Sequence, residues 1–146
     1  MYEGSAALRD SLVAHGNYAA AIALQRERAV CVDTLWYLDM SLLPKAASDF
    51  GNLSWQYLFN KQYAEAETAA LKALELDASQ HWAKTNLGHS FLLRGDLKKA
   101  KKVYREYMEE DGAKAKSMLL KDLDDLEANG VAHTGIPKAR KWLEGQ

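Results

Sequence analysis

The polarity pattern of this chain is helical almost from end to end. Leu8 and Leu12 stand four apart, Ala21, Leu24, Arg28 and Ala29 follow at short steps, and Leu119, Leu120, Leu123 and Leu126 form a similar stripe near the end. Spacings of three and four put side chains on one face of an α-helix. The pattern predicts helices over 5–15, from 18 to about 32, over 45–60, 63–76, 81–94, 97–110 and 116–128, and a short last one opened by Pro137. Ser5 is a candidate cap for the first. Breaks fall at Gly16-Asn17, Gly95-Asp96, Gly112 and Asn129-Gly130, where helices commonly stop. Pro44 suits the first turn of its helix, since its missing N–H has no partner there anyway. The predicted class is all-α.

Within this string the stretch from Ala47 to Gly112 repeats itself. A shift of 34 places Leu53 on Leu87, Ser54 on Gly88, Tyr57 on Phe91 and Leu58 on Leu92. It also carries Tyr63 to Leu97, Ala66 to Ala100, Leu74 to Met108, Glu75 to Glu109 and Asp77 to Asp111. A period of this length made of two helical patterns resembles the tetratricopeptide repeat family. The string His15-Gly16-Asn17-Tyr18-Ala19-Ala20-Ala21 is similar to Arg94-Gly95-Asp96-Leu97-Lys98-Lys99-Ala100, which points to a third, degenerate unit ahead of the other two. The expected layout is one domain, 1–146: a degenerate repeat over 2–32, an insertion over 33–46, repeats over 47–80 and 81–112, and capping helices over 113–146. The insertion, with Asp33-Thr34 as a candidate cap and Leu35, Trp36, Leu38, Leu42 and Leu43 apolar, is expected to extend the second helix or add a short one. The fold this implies is a short helix-turn-helix solenoid with a helical C-terminal cap, whose last apolar face needs covering.

The resemblance implies that Ala66 and Ala100 lie where the second helix of a unit crosses the first and only a small side chain fits. It also has departures. The early aromatic of the first helix is Phe50 in one unit and Lys84 in the next, and the later small residue of the second helix is Ala73 in one and Tyr107 in the other. A tyrosine there is expected to spread the last helix pair and end regular stacking. Family members that clamp acidic peptide tails use lysine, asparagine and arginine on their first helices. The matching places here hold Ala6 and Thr85, Asp10 and Trp55, and His89, so that clamp is not expected.

Composition narrows the function class. With 19 basic and 20 acidic residues the net charge is −1, without the basic excess usual for nucleic-acid or membrane-surface proteins. Neither nucleic acid nor membrane is an expected partner. One cysteine, Cys31, leaves no internal disulfide and no multi-cysteine zinc site, and as a lone thiol in an apolar helix it is expected to be buried. The opening, Met1-Tyr-Glu-Gly-Ser, lacks a basic region followed by an apolar one. The expected compartment is the cytoplasm.

Candidate chemistry is sparse. His15, His81, His89 and His133 make no pair four apart, and no carboxylate lies between His81 and His89, so no metal or cofactor is expected. No glycine-rich phosphate loop exists, and no catalytic residue is assigned; an enzyme is not expected. Lys98, Lys99, Lys101, Lys102 and Arg105 fall opposite the inward Ala100, Val103 and Tyr104, with Glu106, Glu109 and Glu110 close behind, and read as a solvated face.

What remains is the concave side built from first helices. Asn52, Trp55 and Phe59 in one unit and Asn86, His89 in the next, with Trp82 a turn earlier, form the candidate binding surface. Amides in register with aromatic anchors suit a peptide or helix. The expected function is a non-catalytic scaffold module binding a protein or peptide partner. The alternative is a structural or self-assembly module, its groove filled by its own tail or by a second copy in a homodimer.

Overall fold

The computed structural model describes residues 2–35 and 39–146, with side chains described for 7–31 and 39–146. The side chains of Ser5, Ala6, Val32–Leu35 and the residues Trp36–Leu38, which carry part of the expected insertion, lie outside the described residues.

Among the described residues seven helices follow one another: α1 (Tyr2–Ala14), α2 (Tyr18–Leu35), α3 (Leu43–Phe59), α4 (Tyr63–Leu76), α5 (Ala83–Leu93), α6 (Leu97–Ala128) and α7 (Gly135–Glu144), with a 3-10 turn at Met40–Leu42. No strand occurs among the described residues. Each helix packs on the next in the chain, and α3 also meets α5. The fold is therefore all-α and solenoid-like, as the pattern predicts. α2 runs on to Leu35 and the 3-10 turn follows, so the two forms expected of the insertion both occur. Pro44 sits in the first turn of α3.

The turns inside the helix pairs share one backbone device. Gly16, Lys61 and Gly95 hold φ of 71°, 61° and 88°, a left-handed conformation that is easy for glycine and strained for lysine. Lys61 and Gly95 are 34 apart, so the repeat keeps the turn geometry even where it has lost the glycine.

Crossing points are built as expected. Ala66 and Ala100 are fully buried. Ser54 lies opposite Ala66 and donates its hydroxyl to the Ala66 carbonyl at 2.7 Å. At the matching place in α5, a Cβ on Gly88 would come within 2.3 Å of the Tyr104 ring, so the missing side chain is what lets that ring in.

Gly112 does not simply end a helix. Its φ of 61° and ψ of −137° put a kink in α6, and helical bonding resumes beyond it. Tyr107 is almost completely buried and donates its hydroxyl to the Met118 sulfur at 3.2 Å, beneath the chain that folds back past the kink. Leu119, Leu123, Leu126, Ile136, Ala139 and Leu143 are fully buried. Leu120 is only half-buried.

Candidate binding surface

The expected row of residues divides in two. Asn52 and Trp55, on α3, are half-buried and line a cleft of about 170 Å³ with Arg9, Asp10 and Val13 of α1 and with Gln56. Phe59 is mostly buried, stacked on Tyr18 with ring centres 5.2 Å apart and met edge-on by Trp55 at 4.7 Å. Gln56 Oε1 is buried in this wall without a hydrogen-bond partner, a state costly enough to be uncommon in a folded protein.

Asn86 and His89, expected in one row with Asn52 and Trp55 that was either open or covered, are not offered to solvent. Asn86 is 2% exposed and donates its amide Nδ2 to the Gly51 carbonyl at 2.9 Å; it ties α5 to α3. His89 is 0% exposed. Its Nδ1 lies 2.7 Å from the Tyr104 hydroxyl and its Nε2 lies 3.4 Å from Asp122 Oδ2. Burial, aided by the nearby negative Asp122, pushes the Tyr104 phenol well above its usual range, so it stays protonated and donates to Nδ1. An imidazole tautomer with its proton on Nε2 would donate to Asp122 and satisfy both contacts. The three groups have the composition of a proton relay, but a fully buried hydroxyl has no access to a substrate. Their effect is to fasten the arm of α6 beyond Gly112 onto α5.

Trp82 also turns inward. Its ring lies against Gly51, where a Cβ would be within 2.3 Å of it, and its indole N–H donates to Gln80 Oε1 at 2.8 Å. The ring therefore serves packing between α3 and the start of α5.

Sequence spacing gave no sign of the polar weld between the first two units. Gln25 is fully buried, donates to the carbonyl and carboxylate of Asp49 at 2.9 and 3.1 Å, and accepts from Arg9 at 3.0 Å. Arg28 meets the same carboxylate at 3.2 Å. This network fixes α1 and α2 against α3 and so sets the width of the Asn52–Trp55 cleft. A polar Gln25 at an inward position of α2 was the available signal.

On the other side of α3, a shallow groove of about 480 Å³ opens between α2 and α4, floored by Phe50, Leu53 and Tyr57 and edged by Arg26, Val30 and Lys72. Val30 is 59% exposed. Cys31 is exposed beside it rather than buried as expected, because it falls on the outer side of α2. No group of three or more histidine, cysteine or carboxylate side chains is placed to hold a metal among the described residues, and no described helix is long and apolar enough to cross a membrane.

No protein-family model matches this chain, and no curated protein matches it.

Proposed function

We propose that this chain is a non-catalytic protein-interaction module of the tetratricopeptide type, acting in the cytoplasm, that takes a peptide or helix on its concave side. One observation carries the reading: the cleft between α1 and α3 brings the half-buried amide of Asn52 and the half-buried ring of Trp55 to one surface. An extended peptide supplies backbone N–H donors to amide acceptors, and Trp55 supplies the apolar anchor. No cofactor, nucleic acid or membrane enters this reading. The surface is smaller than the sequence row, since Asn86 and His89 serve the interior.

Binding energy concentrates in a few aromatic and polar residues, so Trp55→Ala is expected to weaken partner capture by about 2 kcal/mol, roughly 30-fold. Asn52→Ala weakens it less and hardly touches packing. The check is capture on immobilised chain beside a thermal melt of each variant. Capture unchanged in both variants overturns the reading.

A second reading, a structural or self-assembly module with the groove filled by its own tail or by a second copy, draws on the far arm of α6. Asp122 of that arm reaches His89, and the Tyr18 hydroxyl donates to Asn129 Oδ1 at 3.0 Å. Sedimentation at low and high concentration separates the two: a mass that doubles with concentration favours the second.

A further inference from the structure

Several cations on this protein have a carboxylate beside them. Arg9 pairs with Asp10, Arg28 with Asp49, Lys84 with Glu110, Arg94 with Glu67, Lys121 with Asp125, and Arg140 with Asp124 and Glu127. Of the remainder, five gather on one surface. Lys98, Lys101, Lys102 and Arg105 on the near arm of α6, with Lys138 on α7, have no ion-pair partner among the described residues. All but Lys101, which is half-buried, are exposed.

Trp142 lies among these cations. Lys101 Nζ is 5.5 Å and Arg105 Cζ is 5.3 Å from its ring centre, within the range of cation–π attraction. The indole is itself stacked on the buried Tyr104, with ring centres 6.5 Å apart. Two like charges four residues apart repel each other, yet here both are drawn to one anchored ring. Lys138 precedes Trp142 by one turn and so lies on the same side of α7. The result is two cationic heads, those of Lys101 and Arg105, already held together at one ring, which lowers the ordering cost of binding an anion.

We propose that this surface docks a short acidic segment of a partner protein, its carboxylates meeting Lys101, Arg105 and Lys138. Carboxylates make short, charge-assisted hydrogen bonds to such heads. A nucleic acid fits less well. Non-specific single-strand binding uses an open aromatic face for base stacking, and this indole already carries two cations. Exposed Glu106 follows Arg105 directly and exposed Glu109 stands one turn beyond it, where they repel a long polyanion. The net charge of −1 gives no field to steer one in. From Lys98 to Arg105 the stripe is roughly 10 Å long at the helical rise, the reach of about three extended residues.

The test uses the full chain, a fluorescein-labelled peptide of Asp-Glu repeats and a fluorescein-labelled oligothymidylate of equal charge, read by anisotropy at low and at physiological ionic strength. The peptide is expected to bind, more weakly as salt rises, and the double variant Lys101→Ala, Arg105→Ala to bind about 10-fold more weakly. Lys138→Ala, which leaves the Trp142 contacts in place, is expected to weaken binding about 3-fold. Lys121→Ala, on the far arm of α6, and Trp55→Ala, in the other cleft, are expected to leave it unchanged. Peptide binding that is absent, or equal in the double variant and in Lys138→Ala, overturns the proposal. So does tighter binding of the oligothymidylate through the same residues.

Discussion

The second and third repeats share a register and differ in what they do with it. At the crossing, Ser54 in one stands for Gly88 in the other; further along the second helix, Ala70 and Ala73 stand for Tyr104 and Tyr107. The second unit closes its crossing with the Ser54 hydroxyl on the Ala66 carbonyl, and its small Ala70 packs with Leu87 of the following helix. The third unit removes the side chain at Gly88, fills the space with the Tyr104 ring, and raises a second tyrosine beside it. Alanine leaves a flush surface on which another helix pair can stack. Two tyrosines leave a tall apolar edge that needs cover, and the chain past Gly112 supplies it. The residue at the crossing keeps the period; the residues one and two turns later decide whether a repeat or a cap comes next.

The most severe way to break this comparison is to remove the cover. Ending the chain at Gly112 would expose Tyr107 and remove Leu119, Leu123, Leu126 and Leu143, all fully buried. Each such residue contributes on the order of 2–5 kcal/mol when truncated to alanine, comparable together to the whole stability of a small domain. Aggregation or loss of a cooperative melt is expected. A truncated chain that stays monomeric and melts at the parent temperature would show that the third unit needs no cap.

A smaller effect sharpens the comparison at a single position. Gly88→Ala drives a Cβ into the Tyr104 ring, whose position is held by His89 and Trp142, so overpacking is expected to cost roughly 1–3 kcal/mol. Ser54→Ala changes the same place in the other repeat and loses only one hydrogen bond, about 1 kcal/mol. Denaturant midpoints of the two variants check the order. Equal tolerance would mean that Tyr104 does not depend on the gap at Gly88.

Helix order and class were legible because both rest on local rules. Apolar residues at steps of three and four must share a face, and a close crossing admits only Ser54, Gly88, Ala66 or Ala100. The binding row was only half legible for the same reason. Spacing correctly put Asn52, Trp55, Asn86 and His89 on first helices, but it carries no information about what lies over them. His89 is covered by a residue 33 positions away, Asp122, and Asn86 is taken up by a carbonyl 35 positions back, Gly51. A polar side chain at an outward register position looks the same in sequence whether it meets solvent or a distant acceptor. The cationic surface around Trp142 was hidden likewise. As a run along α6 it looks neutralised by Glu106, Glu109 and Glu110, but Glu110 is engaged with Lys84 and α7 brings a further lysine alongside.

The mildest difference between the two units shows at high pH. Burial, and then the negative charges of Asp111 and Asp122, push the Tyr107 phenol up to about 12 from an ordinary value near 10. The folded state therefore favours the neutral phenol more than the unfolded chain does. Stability from this preference is fully present below pH 10 and is lost as pH rises from about 10 through about 12, because the unfolded chain releases the proton first. Tyr104 shifts in the same direction, whereas the matching Ala70 and Ala73 of the second unit carry no titrating group and leave its dependence to Tyr57 and Tyr63. Near neutral pH, Tyr107→Phe gives up only a weak contact to sulfur, worth at most about 1 kcal/mol. Between pH 10 and 12 its melting temperature is expected to fall less steeply than that of the parent. Tyr57 and Tyr63, also raised by burial, are present in both proteins, so the difference in slope isolates Tyr107. Parallel slopes would place Tyr107 in contact with water and remove the argument that the third unit has to cover it.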